Sequence, residues 1–244
     1  MPSDLDLTRF EVLSFDCYGT LIDWEAGIAA VLGPWAREVG LDPGPEELLR
    51  AYAGAEMAVE AESPTSRYPD VLGASFRRIG DAFARPVTDE WALRLGGSVE
   101  DWPAFPDSAE ALGRLANRYR LIIVSNVHRD GFAGSNRRLR GDFAAVITAE
   151  DVGGYKPADN HFRALDSSLA DLGVDREALL HVAQSLVHDH VPAKRGGLRS
   201  VWINRRHDRP GGGATPRPSE EWSYDLEFHT LAEFADAVDQ AHDR

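Results

Sequence analysis

The segment Phe10-Glu11-Val12-Leu13-Ser14-Phe15-Asp16-Cys17-Tyr18-Gly19-Thr20-Leu21 constrains the fold more than any other stretch of the chain. A short apolar run ends in an aspartate, and Gly19, Thr20 and Leu21 follow as a turn. An apolar run bounded by turn residues predicts a buried strand, here from Phe10 to Asp16. A carboxylate just past such a strand stands where open α/β sheets place their ligand sites. Asp16 is therefore a candidate nucleophile, able to form a covalent ester and so divide one hard step into two. The alternative is an aspartate that caps the next helix.

The remaining chain supplies the other strands. Leu121 to Val124, Ala144 to Thr148, Leu179 to Ala183 and Leu198 to Ile203 read as short buried strands, and Leu226 to His229 as a last one. Helices are predicted from Pro106 to Tyr119, from Pro157 to Leu172, from Val187 to Gly196 and from Leu231 to Ala241. Between Leu21 and Asp101 the character changes. Helical spacing runs through Trp24 to Val39, Pro45 to Glu60, Leu72 to Phe83 and Thr88 to Leu95, with no strand. Strands alternating with helices imply a parallel sheet covered on both faces. The expected class is thus α/β, a doubly wound parallel sheet with a helical cap inserted after strand 1. The expected division is a core of residues 1–20 and 102–244 and a cap of residues 21–101, seated over the carboxyl ends of the strands. Arg205 to Glu221, charged and rich in Gly and Pro, is expected to be a loop or flap.

Charge narrows the partners. The 244 residues include 26 basic and 40 acidic ones, a net charge of −14. Such a chain is repelled by nucleic acid and by anionic lipid surfaces, so neither is an expected partner. An anionic substrate would need a local basic pocket. Cys17 is the one cysteine, which excludes an intramolecular disulfide and fits a cytoplasmic location. Its simplest role is a small buried apolar residue. No apolar run reaches the length of a membrane span, and the acidic start Met1-Pro2-Ser3-Asp4 lacks a signal-peptide pattern.

The string around Asp16 resembles the first motif of the haloacid dehalogenase superfamily, whose leading aspartate is the nucleophile. Phosphatases of that superfamily carry a second aspartate two positions later, as general acid beside a magnesium ion. Here that position is Tyr18. Asp-x-Tyr-Gly-Thr is similar to the L-2-haloacid dehalogenase branch, which needs no metal or organic cofactor, and a departing halide needs no proton, so the lost general acid is consistent with that branch. The resemblance covers nearly the whole chain and implies the same core and cap. Family members often dimerise, so a homodimer through exposed apolar cap surface is a further expectation.

Other strand ends extend the resemblance. Ser125 and Asn126 can hold an anion by hydrogen bonding or can cap a helix. Leu121-Ile122-Ile123-Val124-Ser125-Asn126 resembles the second motif, whose serine binds substrate. Gly153-Gly154-Tyr155-Lys156-Pro157 is similar to the family's Tyr-Lys-Pro signature, whose lysine pairs with the nucleophile. A cation there would keep Asp16 ionised. Ala183-Gln184-Ser185-Leu186-Val187-His188-Asp189 replaces the metal-supporting acid of the phosphatases with Gln184, and Asp189 matches the last acidic position of the motif. Ser185 stands where the related dehalogenases have a different pair. His188 is either a helper in water activation or an exposed helix histidine. The halide-receiving arginine of the family lies in the cap, where Arg50 and Arg67 are the candidates. Trp24, Trp35, Tyr52, Met57 and Tyr68 either form a dry pocket or serve as core.

The expected reaction is hydrolysis of a small 2-haloalkanoic acid to a 2-hydroxy acid. Asp16 displaces halide, and Thr20 and Lys156 orient it. Backbone groups near Cys17 and Tyr18, with Ser125, hold the substrate carboxylate. Arg50 and Asn126 take the halide. Water near Asp189 and Ser185 opens the ester. The alternatives are a phosphatase, a hydrolase that opens a strained ring, and a non-catalytic binding protein that keeps the fold.

Overall fold

Each strand carries an apolar run short enough to be covered on both faces. All four residues of β1 (Val12–Phe15) and all five of β4 (Leu179–Ala183) are buried. With β2 (Arg120–Ser125), β3 (Ala145–Thr148), β5 (Arg199–Ile203) and β6 (Leu226–Phe228) they form one parallel sheet in the order β3-β2-β1-β4-β5-β6. This computed structural model describes residues 5–209, 213–215 and 218–243. The predicted N-terminal segment Met1 to Asp4, and residues 210–212 and 216–217 of the predicted loop Arg205 to Glu221, lie outside the described residues.

Four helices separate β1 from the rest of the sheet: α1 (Trp24–Glu38), α2 (Pro45–Glu62), α3 (Tyr68–Ala82) and α4 (Asp89–Gly96). Asp23 caps α1 by accepting the Ala26 N–H, and Thr88 caps α4 through the Trp91 N–H. Pro45 and Pro69 fall in the first turns of α2 and α3, where a missing N–H costs nothing. Trp35 of α1 meets Phe76 of α3 edge to face, with ring centroids 5.1 Å apart. Trp35 thus belongs to the core of the insertion, and Met57 points outward at 38% exposure.

Returning to the sheet, the chain forms α5 (Ser108–Ala116), α6 (Arg129–Leu139), the single turn α7 (Ala149–Val152), α8 (Asn160–Leu172), α9 (Val191–Arg195) and α10 (Leu231–His242). Apolar residues on the two sides of the sheet form two clusters, one around Phe15, Leu180 and Phe234 and one around Ile122, Val124 and Phe162. α6 and α7 were not anticipated from the sequence. The buried face of α6 is built from Gly131, Gly134 and Ser135 as well as Phe132 and Leu139, so its apolar stripe is thin. Those glycines let it approach closely: a Cβ on Gly134 would lie 2.4 Å from Glu100 Cβ. The helix predicted from Val187 instead begins as a π-helical turn over Leu186–His190 before α9. Among the described residues no helix is long and apolar enough to cross a membrane.

Candidate active site

The strand order changes direction at β1, which lies between β2 and β4. Loops at the carboxyl ends of these strands therefore diverge and leave a crevice. Asp16 follows β1, Ser125 ends β2, and Gln184 and Ser185 follow β4. Asp16 is buried, and Thr20 donates its hydroxyl to Asp16 Oδ2 at 2.7 Å. The same hydroxyl accepts the Gln184 N–H at 2.9 Å, tying the first turn to the β4 loop. Gly19 makes this turn possible. Its φ is +95°, and a Cβ there would lie 3.1 Å from Gln184 Oε1 and 3.2 Å from Trp24 Nε1.

Lys156 reaches the crevice from the loop before α8, just ahead of a cis peptide to Pro157. An ammonium has three N–H donors, and all three are spent. They go to Asp16 Oδ1 at 2.9 Å, Asp189 Oδ1 at 2.7 Å and the Val124 carbonyl at 2.8 Å. Asp189 Oδ1 also meets His181 Nε2 at 3.1 Å, and His181 Nδ1 meets Ser14 Oγ at 2.8 Å. A buried chain thus runs from Ser14 under the sheet's end to Asp16. Burial pushes the Asp16 carboxyl up, against the pull of the Lys156 ammonium and the Thr20 hydroxyl. Asp189 pays the burial cost too, but Lys156 and His181 hold it well below the usual carboxylate range. Burial lowers Lys156, and the two aspartates outweigh it and raise it.

Above these groups is a small cavity of about 30 Å³, enough for one or two waters. Asp16, Ser125, Lys156, Ser185 and His188 line its floor and sides, together with the ring of Tyr18. The structure brings Asp16, Thr20, Lys156, Asp189, Ser125 and Ser185 together. The side chains of three further predicted residues have partners of their own or lie in the core. Asn126 lines the cavity and bonds the backbone of Lys156 through its amide, donating to the carbonyl at 3.1 Å and accepting the N–H at 2.7 Å, so it also fixes a loop. The Tyr18 hydroxyl turns away to Ser135 Oγ at 2.9 Å. The Cys17 side chain is fully buried in the core, as expected of a small apolar residue, so a role for Cys17 and Tyr18 toward substrate rests on their backbone groups. His188 is not an exposed helix histidine. It lines the cavity, and burial lowers its pKa to about 4.

The largest correction concerns the insertion. Arg50 is exposed on α2 and takes no part in the cavity. Arg67 is also exposed, at a separate cleft beside His128. The insertion instead turns Trp24, Tyr68, Glu56 and Glu60 toward Asp16. Glu56 Oε1 accepts the hydroxyls of Tyr52 at 2.6 Å and Tyr68 at 2.9 Å. Burial raises Glu56 to about 7 against those two donors. Burial, and then the neighbouring Glu56, push Glu60 well above the carboxylate range, with Lys156 pulling the other way. A sequence signal existed: Tyr52, Glu56 and Glu60 are spaced by four on the buried face of α2, continuing the stripe of Leu48 and Leu49. His181, a polar residue inside the apolar strand β4, was a second such signal. A larger cleft of about 620 Å³, between α3, α4 and α6, contains none of the strand-end residues.

The sequence matches no protein-family model and no curated protein. Solved structures do match. The L-2-haloacid dehalogenase from Xanthobacter autotrophicus superposes with a TM-score of 0.75 at 17% identity, over 94% of this chain and 98% of that one. The fold is that of the haloacid dehalogenases. The L-2-haloacid dehalogenase PA0810 agrees with a TM-score of 0.72 at 20% identity, covering 95% and 99% of the two chains. A proposed HAD-hydrolase from Bacillus subtilis, whose structure was solved bound to magnesium, also matches with a TM-score of 0.72 at 16% identity, over 95% and 99%. At these identities the likeness extends to the fold.

On this haloacid dehalogenase fold, two positions where the resemblance puts acidic residues of magnesium-dependent members are Tyr18 and Gln184. Position 18 offers a phenol bonded to Ser135, and position 184 an amide that accepts from Thr215. Asp189 Oδ1 meets Lys156 and His181, whereas its buried Oδ2 has no hydrogen-bond partner among the described residues. Among the described residues no three His, Cys, Asp or Glu side chains converge to hold a metal ion.

Proposed function

We propose that the protein is a hydrolase that forms an aspartyl ester on Asp16 by displacing a leaving group, halide in the first instance, from a saturated carbon. The observation that carries this is the clamp on Asp16. One oxygen is held by the Lys156 ammonium and the other by Thr20, at the end of a central strand and facing a closed cavity. In the first step Asp16 attacks the carbon, and the bonding pair leaves with the halide. In the second, water adds to the Asp16 carboxyl carbon, the ester C–O bond breaks and an alcohol is released. Asp189 holds Lys156 through Oδ1 and keeps Oδ2 unpartnered among the described residues, so it or the cavity-lining His188 takes the proton from water. Lys156 stabilises the negative charge that develops on the carboxyl oxygens.

In this proposal residues 21–101 act as a cap that excludes water. A cavity of about 30 Å³ is too small for a halogenated substrate, so the cap lifts for entry. The dehalogenase-like structural neighbours support the halide assignment. Strained-ring opening is the second possibility. Glu56 and Glu60 favour it, because buried protonated carboxyls facing the cavity can protonate a leaving oxygen or nitrogen. A phosphatase role is disfavoured by Tyr18 and Gln184.

The test is multiple turnover in oxygen-18 water with EDTA present, on a panel of 2-halo acids and halogenated amines. Mass spectrometry should find the label in the Asp16 peptide, and Asp16→Asn should release no halide. Turnover without label in Asp16 would refute the ester route.

A further inference from the structure

Among the described residues the cavity contains no cation free to receive an anionic substrate. Lys156 is the one basic lining residue among them besides His188, and its three N–H donors are already committed within the protein. Asp16, Asp189 and Lys156 together carry one net negative charge before Glu56 and Glu60 are counted. The hydroxyls of Tyr52 and Tyr68 are likewise spent, on Glu56. A substrate carboxylate would thus enter a desolvated, acidic chamber.

Two carboxyls and one hydroxyl, in contrast, keep unspent polar atoms. Glu60 is 8% exposed, lines the cavity, and makes no hydrogen bond or ion pair among the described residues. The Ser125 hydroxyl is fully buried, lines the same cavity and has no partner. Glu56 uses only Oε1 on its two phenols. An unpartnered buried carboxyl is costly unless something supplies its complement. A primary ammonium supplies it: one positive charge and three N–H donors for a carboxylate and a hydroxyl.

We infer that Glu60, assisted by Glu56 and Ser125, forms a binding subsite for a protonated amine, and that the substrate is a small ammonium compound and not a simple 2-halo acid. The inference builds on the Asp16 reading of the site, and the two fail separately. Label in Asp16 reports the nucleophile, whereas amine binding reports the glutamates. Burial raises the Glu60 and Glu56 carboxyls, and an arriving ammonium favours their ionised forms, so binding releases protons.

The experiment is calorimetric titration of the full chain at pH 6 with ethylammonium chloride and with sodium acetate, in two buffers of different ionisation enthalpy. Ethylammonium should bind at least about tenfold more tightly than acetate, with buffer-dependent heat showing proton release. Glu60→Gln should weaken ethylammonium by about tenfold or more and reduce the buffer dependence, Glu56 supplying what remains. Glu56→Gln should weaken it less. Glu47→Gln, an exposed position on the same helix that removes the same charge, should match the wild type. Acetate binding as tight as ethylammonium, no binding of either probe, or equal effects of Glu60→Gln and Glu47→Gln would overturn the inference.

Discussion

Replacing Lys156 by Met tests the clamp at the centre of the site. The side chain is 1% exposed and its ammonium lies 2.9 Å from Asp16 and 2.7 Å from Asp189, both nearly or fully buried. At an effective dielectric of 20, each contact is worth about 6 kcal/mol of gross attraction. Burying the ammonium costs several kcal/mol in return, so the net loss on removing this partner is about 3–5 kcal/mol. Met fills most of the volume, which leaves two uncompensated aspartates as the main defect. The pH dependence separates this from a packing defect. In the variant both carboxyls lie above their unfolded values, so the folded state holds protons that the unfolded state has lost. That contribution is present at low pH and disappears as pH rises through the folded pKa. In the wild type Asp189 is held low, so its contribution is present above about pH 4 and is lost only in acid. Urea unfolding followed by tryptophan fluorescence at pH 8 and pH 5 measures both. The deficit of Lys156→Met should be about 3–5 kcal/mol at pH 8 and clearly smaller at pH 5. A deficit below about 1 kcal/mol at pH 8, or one that grows toward pH 5, would refute the reasoning.

Three further outcomes are expected. With Glu56 raised from 4.5 to about 7, the folded wild type holds a proton that the unfolded chain loses, so Glu56 alone should cost about 2.5 kcal/mol of stability between pH 5 and pH 8. Glu56→Gln keeps an acceptor for both phenols and should flatten that slope in paired urea titrations. Thr20→Val removes the donor to Asp16 Oδ2 and the acceptor for the Gln184 N–H, and should cost about 1–3 kcal/mol in stability. It should also lower kcat more than it raises KM in steady-state assays of halide release. Arg50→Ala and Arg67→Ala, both at exposed positions away from the cavity, should leave turnover within about twofold of the wild type, and stability within about 0.5 kcal/mol.

The floor of the site was legible in the sequence because each of its residues is tied to the end of a strand. A buried strand fixes the direction of the residue that follows it, so an aspartate after β1, a serine ending β2 and a Gln-Ser pair after β4 converge once the strands are parallel neighbours. Lys156 is placed by the loop before α8 and by Asn126, which holds its backbone at both N–H and carbonyl. The roof was not legible in the same way. Which face of α2 turns inward is decided by docking on α1 and α3 and on the core, through contacts such as Tyr155 to the Ser66 carbonyl and Arg206 to Glu25 and Glu46. Those pairs are distant in sequence and have no shared spacing. The rotation they impose puts Arg50 in water and Glu56 and Glu60 over Asp16. The expected halide-binding arginine was placed by analogy, whereas the glutamates follow from the helix stripe itself. A carboxylate in the fourth position after a buried Tyr cannot leave the apolar face without taking that face with it.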